Sequence, residues 1–67
     1  MKLIIPFSDL KAEVKVDQLA AKLVGGVWGT IEKNNTEQAI IISSNEREIK
    51  IALRLVKPYL AYWAKGD

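Results

Sequence analysis

The sequence predicts an α+β fold of order ββαββα, in which a four-stranded, mostly antiparallel sheet carries two helices on one face. Short runs of β-branched residues alternate with two segments of helical periodicity, and glycines or polar turns separate them. The 67 residues leave room for a single domain, residues 1–67. No element remains to cover the second face of the sheet, so we expect an open face and two open edges.

The first two strands are predicted at residues 2–7 and 11–16. Pro6 has no N–H to donate, which favours an edge position for the first strand. In residues 11–16 charged and apolar side chains alternate strictly, which is typical of a half-buried strand. The competing interpretation extends the following helix back to Asp9.

A short helix follows, with Asp17 as its predicted N-cap and Gly25-Gly26 as its end. Its apolar stripe consists of Val16, Leu19, Ala20 and Leu23. Residues 27–33 and 39–43 then predict a β-hairpin around the polar turn 34–38. Gly29 lies inside the first of these strands, which suggests a bulge or a close approach of another backbone.

The last helix is expected to begin near Ser44 or Asn45. Ser43 with Glu46, or Asn45 with Glu48, would form a capping box at this end. Pro58 should kink the helix or restart it as a final turn. The predicted core stripe consists of Ile49, Ala52, Leu53, Val56, Leu60 and Trp63.

The composition argues against catalysis by this chain. It contains no cysteine and no histidine, so disulfides, Cys/His zinc sites and the usual nucleophiles and general bases are missing. The eight carboxylates show no metal-binding spacing. We therefore predict a protein that is not an enzyme and has no cofactor and no metal.

The charge balance and hydropathy bear on partners and location. A net charge of +2 permits contact with nucleic acid or an acidic membrane without requiring it. We expect no signal peptide, because the apolar run at the N-terminus is short and Pro6 breaks it. No run has the roughly 18–20 apolar residues of a membrane span. The expected location is the cytoplasm or the interior of an organelle, without membrane contact.

Two sets of basic residues could contact phosphates. The first is a stripe along the last helix and consists of Arg47, Lys50, Arg54 and Lys57. The second would project from the open sheet and consists of Lys11, Lys15 and Lys33. For both sets the alternative is an ordinary solvated surface.

Trp28 and the glycines around it allow further interpretations. Trp28 could stack on a base if it faces outward, but we favour core packing because tryptophan offers a large apolar area. Residues 26–29 also match the GxxG pattern of KH domains. A helix should follow that loop directly, whereas a strand is predicted here, so the match is weak.

About two-thirds of the chain resembles the C-terminal part of a LAGLIDADG homing endonuclease repeat. VDQLAAKLVGG is similar to the middle helix of that family, VWGTIEKNNTEQAIIISS to its second hairpin, and EREIKIALRLVKPYL to its last helix with a PYL ending. The signature helix, which forms the dimer seam and carries the metal-binding acid, has no counterpart. The basic residue that usually follows PYL is displaced to Lys65. The resemblance implies a sheet that lies on nucleic acid without cleaving it, through Lys11, Lys15, Thr30 and Lys33.

These observations predict a small, non-catalytic nucleic-acid-binding protein that contacts phosphate backbone through basic residues, for example within an RNA–protein assembly. The alternative is a protein-interaction module, a homodimer or a subunit of a larger complex, that pairs through a sheet edge or an apolar helix face. A third interpretation is an enzyme subunit that donates residues to a site built by another chain.

Overall fold

The computed structural model describes residues 1–61 and has an α+β architecture. Trp63, which the sequence places in the core stripe, lies outside the described residues. The elements in chain order are β1 (Lys2–Pro6), a 3₁₀ turn (Phe7–Asp9), α1 (Val16–Gly26), β2 (Thr30–Asn34), β3 (Ala39–Ser43), α2 (Glu46–Val56) and a second 3₁₀ turn (Lys57–Tyr59).

Within residues 1–61 the sheet has three antiparallel strands in the order β1-β3-β2, and residues 11–16 form no strand of it, so the prediction of four strands is wrong. Residues 11–15 form a turn and an extended link to α1. The N–H of Val14 bonds to the carbonyl of Lys11, and the N–H of Lys11 bonds to the carbonyl of Tyr59. Val14 packs against the core from this link, which accounts for the alternating pattern without a strand. The competing helix from Asp9 is wrong too, since Leu10 and Lys15 have extended backbone.

Both helices cover one face of the sheet. Leu19 and Leu23 of α1 and the inner residues of α2 share one cluster with Ile5, Ile40 and Ile42 of the sheet. Side chains opposite one another in an antiparallel pair point to the same face. The register therefore places alternate side chains of the three strands on the open face. These are Lys2, Ile4 and Pro6 of β1, Thr30, Glu32 and Asn34 of β2, and Ala39, Ile41 and Ser43 of β3.

The edge position of Pro6 and the β2–β3 hairpin are confirmed. In the turn, Asn34 Oδ1 accepts a hydrogen bond from the N–H of Glu37 at 2.8 Å, and Gln38 takes a positive φ of 56°. β2 begins at Thr30 rather than at residue 27. The expected close approach at Gly29 is confirmed, because a Cβ there would lie 2.6 Å from the carbonyl oxygen of Ser43.

The two helices start differently. Asn45 is the N-cap of α2, and its Oδ1 accepts a hydrogen bond from the N–H of Glu48 at 2.9 Å. This confirms the cap predicted at Asn45, although the Glu48 carboxylate bonds elsewhere. The N-cap of α1 is Lys15, which makes no side-chain cap hydrogen bond, so the predicted Asp17 cap is wrong.

The inner face of α2 consists of Ile49, Ala52 and Val56, all buried as predicted. Leu53 is 38% exposed, so its place in the predicted stripe is wrong. At 100° per residue, Leu53 lies well to one side of the direction that the other three share. Pro58 acts as expected, since α2 ends at Val56 and the chain continues as the 3₁₀ turn that contains Pro58.

Candidate nucleic-acid interface

The outer face of α2 carries three exposed basic side chains, and we call Arg47, Lys50 and Arg54 the α2 basic face. An α-helix turns by 100° per residue, which places all three on the side away from the buried face of this helix. Lys57 follows at the C-cap and is partly buried. The packing of α2 against the core thus fixes the direction of the α2 basic face.

The acidic residues of α2 are confined to its first turn. Lys50 Nζ lies 3.4 Å from the carboxylate of Glu46, but both groups are well exposed, so the pair contributes little. The carboxylate of Glu48 accepts a hydrogen bond from the backbone N–H of Trp28 at 2.9 Å. No acidic residue follows until Asp67, so the rest of the helix has a purely positive outer side.

A second basic surface is a concavity between the 11–15 link, α1 and the second 3₁₀ turn. We call it the lysine groove, and it is lined by Lys11, Glu13, Val14, Lys15, Gln18, Leu19, Lys22, Pro58 and Tyr59. Lys22 Nζ donates a hydrogen bond to the Tyr59 hydroxyl at 2.7 Å. The same nitrogen is 5.0 Å from the ring centre, so the ammonium lies beyond the hydroxyl and not over the ring face.

Backbone hydrogen bonds place the lysine groove beside the end of α2. The N–H of Lys11 bonds to the carbonyl of Tyr59 at 2.9 Å, and the N–H of Ala61 bonds to the carbonyl of Asp9 at 2.7 Å. An isolated bridge between Leu10 and Leu60 lies between these two bonds. The groove therefore begins where the 3₁₀ turn leaves the helix that carries the α2 basic face.

The structure does not form the basic sheet face expected from the sequence. Lys11 and Lys15 lie outside the sheet and line the groove. Lys33 is in register with the buried Ile40 and pairs with Asp17 of α1 at 2.5 Å. Of the four residues that the family resemblance suggested, Thr30 alone is exposed on the open face. The predicted contact set is therefore scattered: Lys11 and Lys15 line the groove, Arg47, Lys50 and Arg54 lie on α2, and Thr30 and Lys33 belong to neither surface.

Two features were missed or misjudged from the sequence. Lys22 was overlooked, because residues 11–16 were assigned to a strand and nothing then connected them with a lysine on α1. Trp28 is 80% exposed, so the predicted core packing is wrong. Its position in a short link with a glycine on either side, Gly26 and Gly29, is the signal that could have indicated exposure. The GxxG segment leads into β2 and not into a helix, unlike the order in KH domains.

Within residues 1–61, no group of three or more His, Cys, Asp or Glu side chains is placed to hold a metal ion. Neither helix of this part of the chain combines the length and apolar character that a membrane span requires. Comparison with protein-family models, curated proteins and solved structures found no match for the chain. The resemblance to LAGLIDADG repeats stays a prediction.

Proposed function

We propose that this protein binds the phosphate backbone of nucleic acid through the α2 basic face, with the lysine groove as a secondary contact, and does not cleave it. The observation that carries the proposal is the charge distribution of α2. Its cations lie on the outer side along the helix, whereas its two acids are confined to the first turn, where Glu46 lies near Lys50 and Glu48 accepts a hydrogen bond from Trp28. Such a surface can neutralise phosphates with little repulsion from carboxylates.

The dimensions of the α2 basic face suit a short stretch of backbone. From Arg47 to Arg54 the helix axis advances by about 10 Å, at 1.5 Å per residue. One strand of B-form DNA carries a phosphate about every 3.4 Å along its axis, so about three phosphates fit this distance. Each neutralised phosphate contributes about 0.7–0.9 to the slope of log K against log salt concentration. We therefore expect a slope of about −2 to −3 from this face alone.

The test is a titration of fluorescently labelled oligonucleotides, DNA and RNA, at several salt concentrations. We expect binding at low salt, with log K falling linearly as log salt rises, at a slope between about −2 and −5 once the groove lysines contribute. The absence of binding at low salt, or an affinity that does not change with salt, would refute the proposal. An incubation with labelled substrate should leave it uncut.

The open sheet face supports a second candidate function, self-association. Ile4 at the centre of β1 is 50% exposed and Met1 is 70% exposed. β1 is an edge strand, so its outer N–H and C=O groups have no strand partner within the part of the chain described. Pairing of β1 with a second copy would cover this edge and bring the exposed apolar residues together. Sedimentation of the wild type and of Ile4→Lys tests this, because a dimer that the substitution dissociates is the expected result.

A further inference from the structure

The side chain of Trp28 is exposed although its backbone is fixed on both sides. Its N–H donates to Glu48 Oε1 at 2.9 Å, and its carbonyl accepts from the hydroxyl of Ser44 at 2.5 Å. The next residue, Gly29, packs against Ser43 and Ser44 too closely to leave room for a Cβ. The loop therefore fixes the point on the surface from which the indole projects, with 80% of the residue exposed.

An exposed indole on a fixed backbone contributes little to the stability of the fold. Tryptophan stabilises a core by burying a large apolar area, and here most of that area is in water. The hydrogen bonds that fix this residue use its backbone N–H and carbonyl, so any residue other than proline could make them. The chemistry that tryptophan adds at this position is a flat aromatic surface open to a ligand.

Trp28 lies beside the α2 basic face. Its N–H is bonded to Glu48, and the neighbouring residue Arg47 is 100° further round the helix, on the outer side. The Glu48 carboxylate already accepts a hydrogen bond from Trp28, which reduces its repulsion of a nearby phosphate. A ligand that covers the indole can therefore reach the first cation of the α2 basic face without leaving the surface.

We propose that Trp28 stacks on an unpaired base of single-stranded nucleic acid whose phosphates contact the α2 basic face. This inference rests on the proposed function and narrows it to single strands. Bases in a duplex stack on one another, whereas each base of a single strand can offer an aromatic face to a side chain. A basic surface with an aromatic platform at its end fits such a strand and accepts any sequence.

The experiment uses the full chain with Trp63→Phe, which leaves Trp28 as the one tryptophan. The tryptophan emission is followed during low-salt titrations with oligo(dT), a DNA hairpin duplex and inorganic polyphosphate. In parallel, the anisotropy of labelled oligo(dT) and of the labelled hairpin measures the binding of these two oligonucleotides. We expect oligo(dT) to quench the emission and the other two probes to leave it nearly unchanged. In the otherwise wild-type chain, Trp28→Ala should weaken binding of oligo(dT) about tenfold or more, with the duplex affinity unchanged.

Val24→Ala is the matched control, because Val24 is another exposed apolar residue, 64% accessible, without an aromatic face. It should not change the affinity for oligo(dT). Salt-dependent binding without quenching, and with equal affinity of Trp28→Ala, would overturn base stacking and leave the proposed function intact. Absence of binding to both labelled probes at low salt would overturn both. A wild-type dimer that Trp28→Ala dissociates, without affinity for oligo(dT), would identify the indole as a protein contact and refute the inference.

Discussion

The α2 basic face and the lysine groove carry three cations each but differ in how these are held. The cations of α2 project from a capped helix that packs on the core, and its carboxylates are confined to one end. In the groove, Lys11 and Lys15 come from an irregular link, Lys22 is already bonded to Tyr59, and the carboxylate of Glu13 is part of the lining.

The two surfaces therefore carry the same number of cations, but these cations are not equally free to bind a phosphate. The bond to the Tyr59 hydroxyl takes one of the three N–H donors of Lys22 and holds its ammonium in one direction, and the carboxylate of Glu13 opposes any anion nearby. In the α2 basic face the corresponding cost falls on Lys50, which lies 3.4 Å from the exposed carboxylate of Glu46, whereas Glu48 is bonded to the N–H of Trp28 and no carboxylate follows it along the helix. We therefore assign the larger part of phosphate binding to α2.

The largest expected effect concerns the packing that supports the α2 basic face. Ile49 is 8% exposed and its replacement by alanine leaves a cavity, so Ile49→Ala should lower the free energy of unfolding by about 2–4 kcal/mol. A domain of this size has a margin of about 3–5 kcal/mol, so only about 1 kcal/mol would remain. Leu53→Ala on the same helix is the control and should cost about 1 kcal/mol or less, since Leu53 is 38% exposed. Urea denaturation measures both, and equal losses would contradict the described orientation of α2.

Substitutions at the N-caps of the two helices should change the free energy of unfolding by smaller amounts. Asn45→Ala removes the cap of α2 and should cost about 1 kcal/mol. Lys15→Asn places a capping side chain at the uncapped start of α1 and should stabilise the protein by about 0.5–1 kcal/mol, although the groove loses a cation. Thermal unfolding at fixed pH compares the two variants. A stabilising Asn45→Ala or a destabilising Lys15→Asn would show that the caps are assigned wrongly.

The smallest effect on stability is expected from Tyr59→Phe. The hydroxyl accepts an exposed hydrogen bond from Lys22, so its loss should change the free energy of unfolding by about 0.5 kcal/mol or less. The released lysine can then bind a phosphate, and the salt slope should steepen by about 1. Lys22→Gln is the control, because with it the tyrosine substitution should have no further effect on the slope. A slope that becomes shallower in Tyr59→Phe would mean that the hydroxyl itself assists binding.

The sequence predicted those parts in which local chemistry and packing agree. The hairpin, the Asn45 cap and the break at Pro58 depend on turn and cap residues that act over a few positions. Residues 11–15 could not be predicted in this way, because a few alternating side chains fit a strand and equally fit a link that inserts Val14 into the core. What decides the outcome is the pairing of the preceding residues 9–11 with residues 59–61, about 50 positions away, in which Lys11 alone of this segment takes part.

The candidate site shows the same distinction between features set by local sequence and features set by tertiary contacts. Three of the four residues of the predicted stripe, Arg47, Lys50 and Arg54, lie together because helical spacing is a local property. The fourth, Lys57, lies at the C-cap and is partly buried. The lysine groove could not be predicted, since it brings together Lys11, Lys15 and Lys22 from segments whose contact depends on the tertiary fold.

The central claim is that the α2 basic face makes the main phosphate contacts, and two triple variants test it directly. The first replaces Arg47, Lys50 and Arg54 by glutamine, and the second replaces Lys11, Lys15 and Lys22 by glutamine. Both remove three charges, so they have the same net charge, and circular dichroism confirms that each is folded. The salt dependence of oligonucleotide binding should become shallower by about 2–3 in the first variant and by about 1 in the second. Equal changes, or a larger change in the groove variant, would contradict the account.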